Sequence, residues 1–177
     1  IGENLDLVPS SLQLAQADLQ LGSALARERL LEDLLQPVMG DYDYILIDCP
    51  PSLSLMTLNA ITVSDEVLIP LVAETLPFKG LTMITDFVGM VKAKLNPKVK
   101  VAGVLITRYE KSNLSKQIEN GLRESLGELV FETKIRKNIT VAQAPLEATN
   151  IVDYDKKSNG AIDYVAFTDE YLSRKNS

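Results

Sequence analysis

Residues 42–52 read Tyr42-Asp43-Tyr44-Ile45-Leu46-Ile47-Asp48-Cys49-Pro50-Pro51-Ser52, and this stretch decides the fold. An apolar run ends in one carboxylate, and two adjacent prolines come directly after it. Adjacent prolines are incompatible with a helix interior, because each removes an N–H donor and crowds the preceding turn. A parallel strand buried on both faces reads as such a continuous apolar run. Ligands of open α/β sheets bind beyond the carboxyl ends of their strands. Asp48 is therefore expected at the mouth of a site rather than in the core. A carboxylate at that point in a nucleotide-binding sheet orders a magnesium ion, often through a water. The plainer reading is an Asp that caps the turn after it.

Working outward, residues 5–9 read as a short strand stopped by Pro9, with Ser10 or Ser11 placed to N-cap the next segment. Residues 12–21 are largely apolar, and Gly22 breaks the run. Residues 24–39 carry helical spacing. Leu30, Leu31, Leu34 and Leu35 fall on one side, read as core, and Arg27, Glu28, Glu32 and Asp33 on the other. Downstream, residues 55–63 read as a helix and 66–71 as a buried strand. Residues 78–95 read as a long helix closed by Asn96-Pro97. The stretch 99–107 reads as a further strand, with Gly103 permitting close approach. An amphipathic helix over 113–126, a short strand over 129–135 and a short helix over 138–146 come next. Residues 147–158 read as an ordered loop. Residues 159–174 read as the closing helix, with Ile162, Val165, Ala166, Tyr171 and Leu172 as its buried stripe. Strands alternating with helices predict an α/β fold, a mostly parallel sheet flanked by helices. No repeat, linker or low-complexity tract interrupts the chain, so 1–177 reads as a single domain or part of one.

Composition removes several classes of function. The 18 Lys and Arg against 24 Asp and Glu give a net charge of −6. A uniformly basic nucleic-acid binder is excluded, while a local basic patch is not. Histidine is absent, which excludes Ser-His and Cys-His nucleophiles and imidazole acid/base chemistry. The one cysteine, Cys49, permits no internal disulfide and fits a reducing cytosol. It also excludes four-cysteine zinc and single-chain iron–sulfur sites. Beside an apolar strand it reads as a small core filler. No apolar run approaches the roughly 20 residues that span a bilayer.

The segment 42–51, then Asn59-Ala60, Val67-Leu68-Ile69-Pro70, Glu74 and Gly80-Leu81, resembles the ParA branch of the deviant Walker-motif ATPases. Further along, Gly103-Val104-Leu105-Ile106-Thr107-Arg108-Tyr109 and residues 130–138 agree in order. So do Ala144, Ile151 to Asp155, Ser158 and Ala161. The resemblance implies a P-loop NTPase-like fold of the deviant Walker type and a function in segregating plasmid or chromosomal DNA. It implies ATP and Mg2+ as cofactors, an ATP-dependent homodimer, non-specific DNA binding, hydrolysis stimulated by a ParB-like centromere-binding partner, and a cytoplasmic, nucleoid-associated location without a membrane partner. One part of the family pattern is missing. None of the nine glycines is followed by lysine, so the phosphate loop with its Gly-Lys-Thr or Gly-Lys-Ser is not in these residues. The expectation is that these residues are the C-terminal two-thirds of such an ATPase and lack its N-terminal part. By themselves they would turn over little or no ATP.

The resemblance also implies roles. Asp48 is the catalytic carboxylate and holds Mg2+ through water. Pro50 and Pro51 fix the stretch that senses the γ-phosphate. Thr107 with Ile135 and Arg136 ends the two loops that flank the adenine. Lys134, Arg136, Lys137, Arg108 and Lys111 contact DNA backbone, the first three favoured because only Glu132 dilutes them. The bland alternatives are a rigid turn, ordinary strand termination and a solvated helix face. Rival functions are a MinD-like positioning ATPase, whose membrane helix the tail 171–177 is too short to form, a non-enzymatic pseudo-ATPase scaffold, and a metabolic ATP-dependent amidoligase or carboxylase on the same fold.

Overall fold

The computed structural model describes residues 4–11, 14, 16–73 and 77–175. They form two compact units, residues 1–65 with 87–99 and residues 66–86 with 100–177.

The second unit holds the sheet. Strands β1 (Glu66–Val72) and β2 (Lys100–Thr107) pair in parallel, from Glu66 opposite Lys100 to Val72 opposite Thr107. The register slips by one residue between Val67 and Leu68, so that Val67 faces Val101 and Leu68 faces Gly103. Gly103 also lets segment 129–131 approach β2 closely, since a Cβ there would lie 2.6 Å from the Phe131 ring and 2.7 Å from the Leu129 carbonyl oxygen. Residues 129–137 run beside β2 without completing a third strand. Only Val130 and Arg136 form bridges, to Val104 and Tyr109, while Phe131 N–H donates to Val104 O and Ile135 N–H to Ile106 O.

Helices cover this sheet as expected. Helix α4 (Pro77–Lys94) begins in the second unit, and α5 (Asn113–Leu126) lies within it. Ile69, Ala73, Leu81, Val104, Ile106, Ile118, Leu122 and Val130 form one core. A smaller cluster of Leu105, Phe131 and Ile135 is packed by Phe167 and Tyr171. The Ser112 hydroxyl caps α5 by accepting the Ser115 N–H at 3.1 Å. Asn138 and Asn150 cap two short helices in the same way, α6 (Ile139–Gln143) and α7 (Ile151–Tyr154). The expected loop 147–158 therefore contains a helical turn.

The closing helix α8 (Asn159–Lys175) forms as expected but turns a different face inward. Ile162, Val165 and Leu172 are exposed, whereas Ala161 and Asp163 are buried and Phe167 and Tyr171 pack on the Phe131 cluster. Phe167 meets Phe131 edge to face, with centroids 5.0 Å apart. Asp163, Glu170 and Arg174 hydrogen-bond inward from the same side of the helix, and of the expected stripe Tyr171 packs inward with them.

The first unit departs further from expectation. Helix α3 (Leu55–Val63) forms as read. The helix expected over 24–39 shrinks to α2 (Leu30–Leu35), preceded by a 3-10 turn over Arg27–Arg29. Ala26 adopts a left-handed φ of 49° ahead of it, and Pro37 supplies no N–H to continue it. Leu34 is exposed rather than core, while Leu30, Leu31 and Leu35 are half-buried. The run 12–21 yields only α1 (Ala17–Gln20), with parts of the run outside the described residues. Leu5 makes a single bridge, and no strand forms over 5–9. The side chain of buried Asn59 ties α3 to the turn before α2. It accepts the Leu31 N–H at 3.1 Å and donates to Arg27 O and Leu55 O.

The strand expected over 44–48 does not form. A strand's backbone groups need a partner to pair with, and none of the described residues makes a ladder with this segment. Its side chains point largely to solvent, with Leu46 94 % exposed. Cys49 is likewise exposed rather than core.

Candidate functional site

Thr107, Ile135 and Arg136 come together at the carboxyl end of β2. The strand ends at Thr107, whose hydroxyl donates to Leu71 O on β1 at 3.4 Å. Arg108 then takes a left-handed φ of 51°. That kink turns the next residue toward the neighbouring segment. Tyr109 N–H donates to Ile135 O at 2.9 Å, and Lys137 N–H donates back to Tyr109 O at 3.1 Å. The two strand-end loops are thus zipped into one rim. A non-glycine residue in this conformation costs energy that surrounding structure must supply, and such positions cluster at functional sites. The Ile135 side chain is buried in the Phe131 cluster, so it anchors the rim from below and leaves the surface to its neighbours.

Each of the three favoured basic residues is held by a carboxylate. Lys134 Nζ lies 2.7 Å from Glu119 and 5.1 Å above the Tyr109 ring. Lys137 pairs with Glu110 at 2.5 Å. Arg136 grips Asp163 through Nε and Nη2, and its guanidinium pKa is raised by that carboxylate. Arg123 joins Glu119 and Glu132. Burial would push the Glu119 carboxyl up, but hydrogen bonds and charge from Lys134 and Arg123 hold it below the usual carboxylate range. Arg108 and Lys111 are exposed and form no ion pair among the described residues.

Asp48, Pro50 and Pro51 lie in the first unit, in an exposed stretch. Ser52 O accepts the Thr57 hydroxyl at 2.6 Å, which fastens the turn after the prolines to the first turn of α3. Partial burial, then the Asp48 carboxylate, push the Cys49 thiol up. The reactive thiolate is therefore disfavoured. Among the described residues no three carboxylates or cysteines gather into a metal cage. Magnesium at a nucleotide keeps several waters and asks the protein for one or two carboxylates. Exposed Asp48 offers one such carboxylate.

Asp163, Glu170 and Glu119, the carboxylates that organise the second unit's basic residues and loops, went unread in the sequence. The spacing of Asp163 and Glu170, seven residues apart on one helix, was the available signal. Glu74 lies outside the described residues.

A family model described as "AAA domain" matches residues 1–101. The chromosome partitioning protein ParA of Myxococcus xanthus is 38 % identical over 171 residues, which cover 96 % of this chain and 60 % of that protein. A crystal structure of a plasmid partition protein from Borrelia burgdorferi aligns with a TM-score of 0.64 at 27 % identity, covering 93 % of this chain and 63 % of that one. Cobyrinic acid a,c-diamide synthase from Mycobacterium smegmatis, crystallised with ADP and magnesium, aligns with a TM-score of 0.79 at 31 % identity, covering 96 % and 62 %. The chain spans about half to two-thirds of the length of the curated relatives it matches. Its parallel α/β architecture is that of the P-loop partitioning ATPases. The family match over residues 1–101 and these relatives place the chain in the ParA-type family of partitioning ATPases.

Proposed function

We propose that this chain is part of an ATPase that segregates plasmid or chromosomal DNA. It binds Mg-ATP, dimerises, coats DNA without sequence preference, and hydrolyses ATP when a ParB-like partner stimulates it, in the cytoplasm on the nucleoid. Residues 1–177 act as a single nucleotide-binding domain whose phosphate loop lies in other residues. The observation that carries the reading is the zipped rim of Thr107–Tyr109 and 135–137 at the carboxyl end of a parallel sheet, where ligands of this architecture bind. Among the described residues no helix is long and apolar enough to cross a membrane.

Asp48 holds a magnesium-bound water, and Pro50 and Pro51 fix the backbone after it. The ion, when bound with nucleotide, neutralises charge developing on the transferred phosphoryl group. Thr107, Ile135 and Arg136 shape the rim that takes the base. Arg108 and Lys111, which have no ion-pair partner among the described residues, are ready for phosphates. Lys134, Arg136 and Lys137 reach phosphates only by sharing or leaving their carboxylates.

The test is ATP turnover by the complete gene product. Slow basal hydrolysis is expected, with Asp48→Ala reducing it at least a hundredfold. Undiminished turnover in that variant would remove Asp48 from the mechanism. A second reading, a diamide synthase-type enzyme, is favoured by the structural likeness to the Mycobacterium smegmatis synthase. Turnover stimulated by cobyrinic acid, and indifferent to DNA and a ParB-like protein, would select it.

A further inference from the structure

Residues 131–137 donate their backbone N–H groups in two directions, without the strict alternation of a strand, because the chain bends at Glu132. Phe131, Ile135 and Lys137 donate toward β2 and its extension. On the other side no strand among the described residues receives the rest. Glu170 of α8 takes two consecutive amides, Glu132 N–H at its Oε1 and Thr133 N–H at its Oε2, each at 2.8 Å. Asp163, two helical turns earlier, takes the Arg136 N–H at 2.9 Å. Each carboxylate also carries its own counter-charge. Arg174 Nη2 lies 2.6 Å from Glu170, and Arg136 Nη2 lies 2.6 Å from Asp163.

We propose that Asp163 and Glu170 are positioning residues, which take the backbone N–H groups that segment 131–137 turns away from β2, hold the segment against β2, and so set the Ile135–Arg136 rim for its ligand. The two carboxylates lie on one face of α8, seven residues apart, which matches two turns of helix. Charge-assisted bonds to backbone N–H groups are the strong kind. Asp163 is only 7 % exposed, so its bonds are shielded from water. The arrangement also closes an open strand edge, which would otherwise offer unpaired N–H groups to another chain. Arg136 is fixed from both its main chain and its side chain by one carboxylate. Its guanidinium therefore serves the loop's geometry before it serves any ligand.

The ligand part of this inference rests on the nucleotide reading, and the test separates the two. The complete gene product is compared as wild type, Asp163→Asn, Arg136→Gln and the double variant, with Glu170→Gln as the second site should Asp163→Asn fail to fold. Hydrogen exchange is read in peptides spanning 131–137, and binding of a fluorescent ADP analogue is titrated. Asp163→Asn should speed exchange of the Arg136 amide at least tenfold while leaving β1 protected. It should raise the Kd for the analogue roughly tenfold, and the double variant should be no worse than the worse single, since both act through one contact. Unchanged exchange in both Asp163→Asn and Glu170→Gln would overturn the positioning role. Faster exchange with unchanged affinity would overturn its link to the ligand. A wild type that fails to bind the analogue would bring down the nucleotide reading and that link, and the exchange data would still decide the structural half.

Discussion

Gly103 is the position where one added methyl group does most damage. An ideal Cβ there would lie 2.6 Å from Phe131 Cε2 and 2.7 Å from Leu129 O. One neighbour is a buried ring and the other is backbone, so neither yields easily. The residue also carries a φ of +158° in the middle of β2. Gly103→Ala should cost about 1–3 kcal/mol, the usual range for overpacking a core. Urea unfolding reads this directly as a lower midpoint at constant slope, and an unchanged midpoint would show that segment 129–131 is free to move. This residue's role was readable in the sequence, because a lone glycine inside an apolar strand marks close approach. Cys49 was not readable. Its apolar neighbours suggested burial, and the segment that carries it stays exposed because nothing described pairs with 44–48. Arg136 is read in the sequence as a loop end beside the base and as a charge for DNA. Its commitment to Asp163 depends on a residue 27 positions away, which no local pattern reveals.

Helix α8 carries part of the acid response of the second unit, beside the lowered Glu110 and Glu119. Burial alone would raise the Glu170 carboxyl, but the amide and hydroxyl of Thr133, the Glu132 amide and Arg174 hold it below its ordinary value near 4.5. Glu66 at the start of β1 is lowered as well, chiefly by the Tyr171 hydroxyl of α8 and further by Lys100. A carboxyl whose pKa is lower folded than unfolded contributes stability that is fully present above the unfolded value and is lost as pH falls through the folded one. Their contribution should therefore be level from pH 7 down to about 5 and then fall below about 4.5, where the unfolded chain's glutamates take up protons that Glu66 and Glu170 in the fold still resist. Glu170→Gln should start lower at pH 7 and lose less on acidification. Urea midpoints at pH 7 and pH 3.5 for both proteins measure this, and equal acid losses would show that Glu170 does not hold segment 131–137. The same contrast explains which elements were legible. Helices α3, α4, α5 and α8 close their hydrogen bonds internally, so caps and spacing sufficed to place them within about a residue. The strands expected over 44–48 and 129–135 needed partners elsewhere in the chain. One lacks a partner among the described residues, and the other bridges β2 at isolated points while helix carboxylates take amides on its far side. The face of α8 was misread for a related reason. Hydrophobic periodicity weighs apolar residues only, and here Asp163 and Glu170 choose the buried side.

At the scale of the whole chain, a net charge of −6 opposes any approach to DNA, so retention depends on which cations are left uncompensated. Seven of the 18 basic residues fall between positions 108 and 137, and pairing divides them. Lys134, Arg136 and Lys137 sit 2.7 Å, 2.6 Å and 2.5 Å from Glu119, Asp163 and Glu110. A phosphate must compete with those carboxylates for each of them. Arg108 and Lys111 make no contact ion pair among the described residues, although Arg108 lies close enough to Glu110 for its charge to help lower that carboxyl. Affinity for a duplex comes from counterions released as lysine and arginine neutralise phosphates, with a slope in log salt of about −0.9 per contact. Lys111→Glu and Arg108→Glu in the ATP-bound complete protein should therefore each weaken binding to a labelled non-specific duplex. Each should also flatten the salt slope by about one. Lys134→Gln, whose charge is paired with Glu119, should change the slope by much less. Fluorescence anisotropy between 50 and 200 mM salt, an interval over which multi-phosphate binders lose orders of magnitude in affinity, separates these outcomes. If Lys134→Gln flattens the slope as much as Lys111→Glu does, the ion pairs open on DNA. The binding surface would then be the run 134–137, with pairing in the free protein serving only to hold it in reserve.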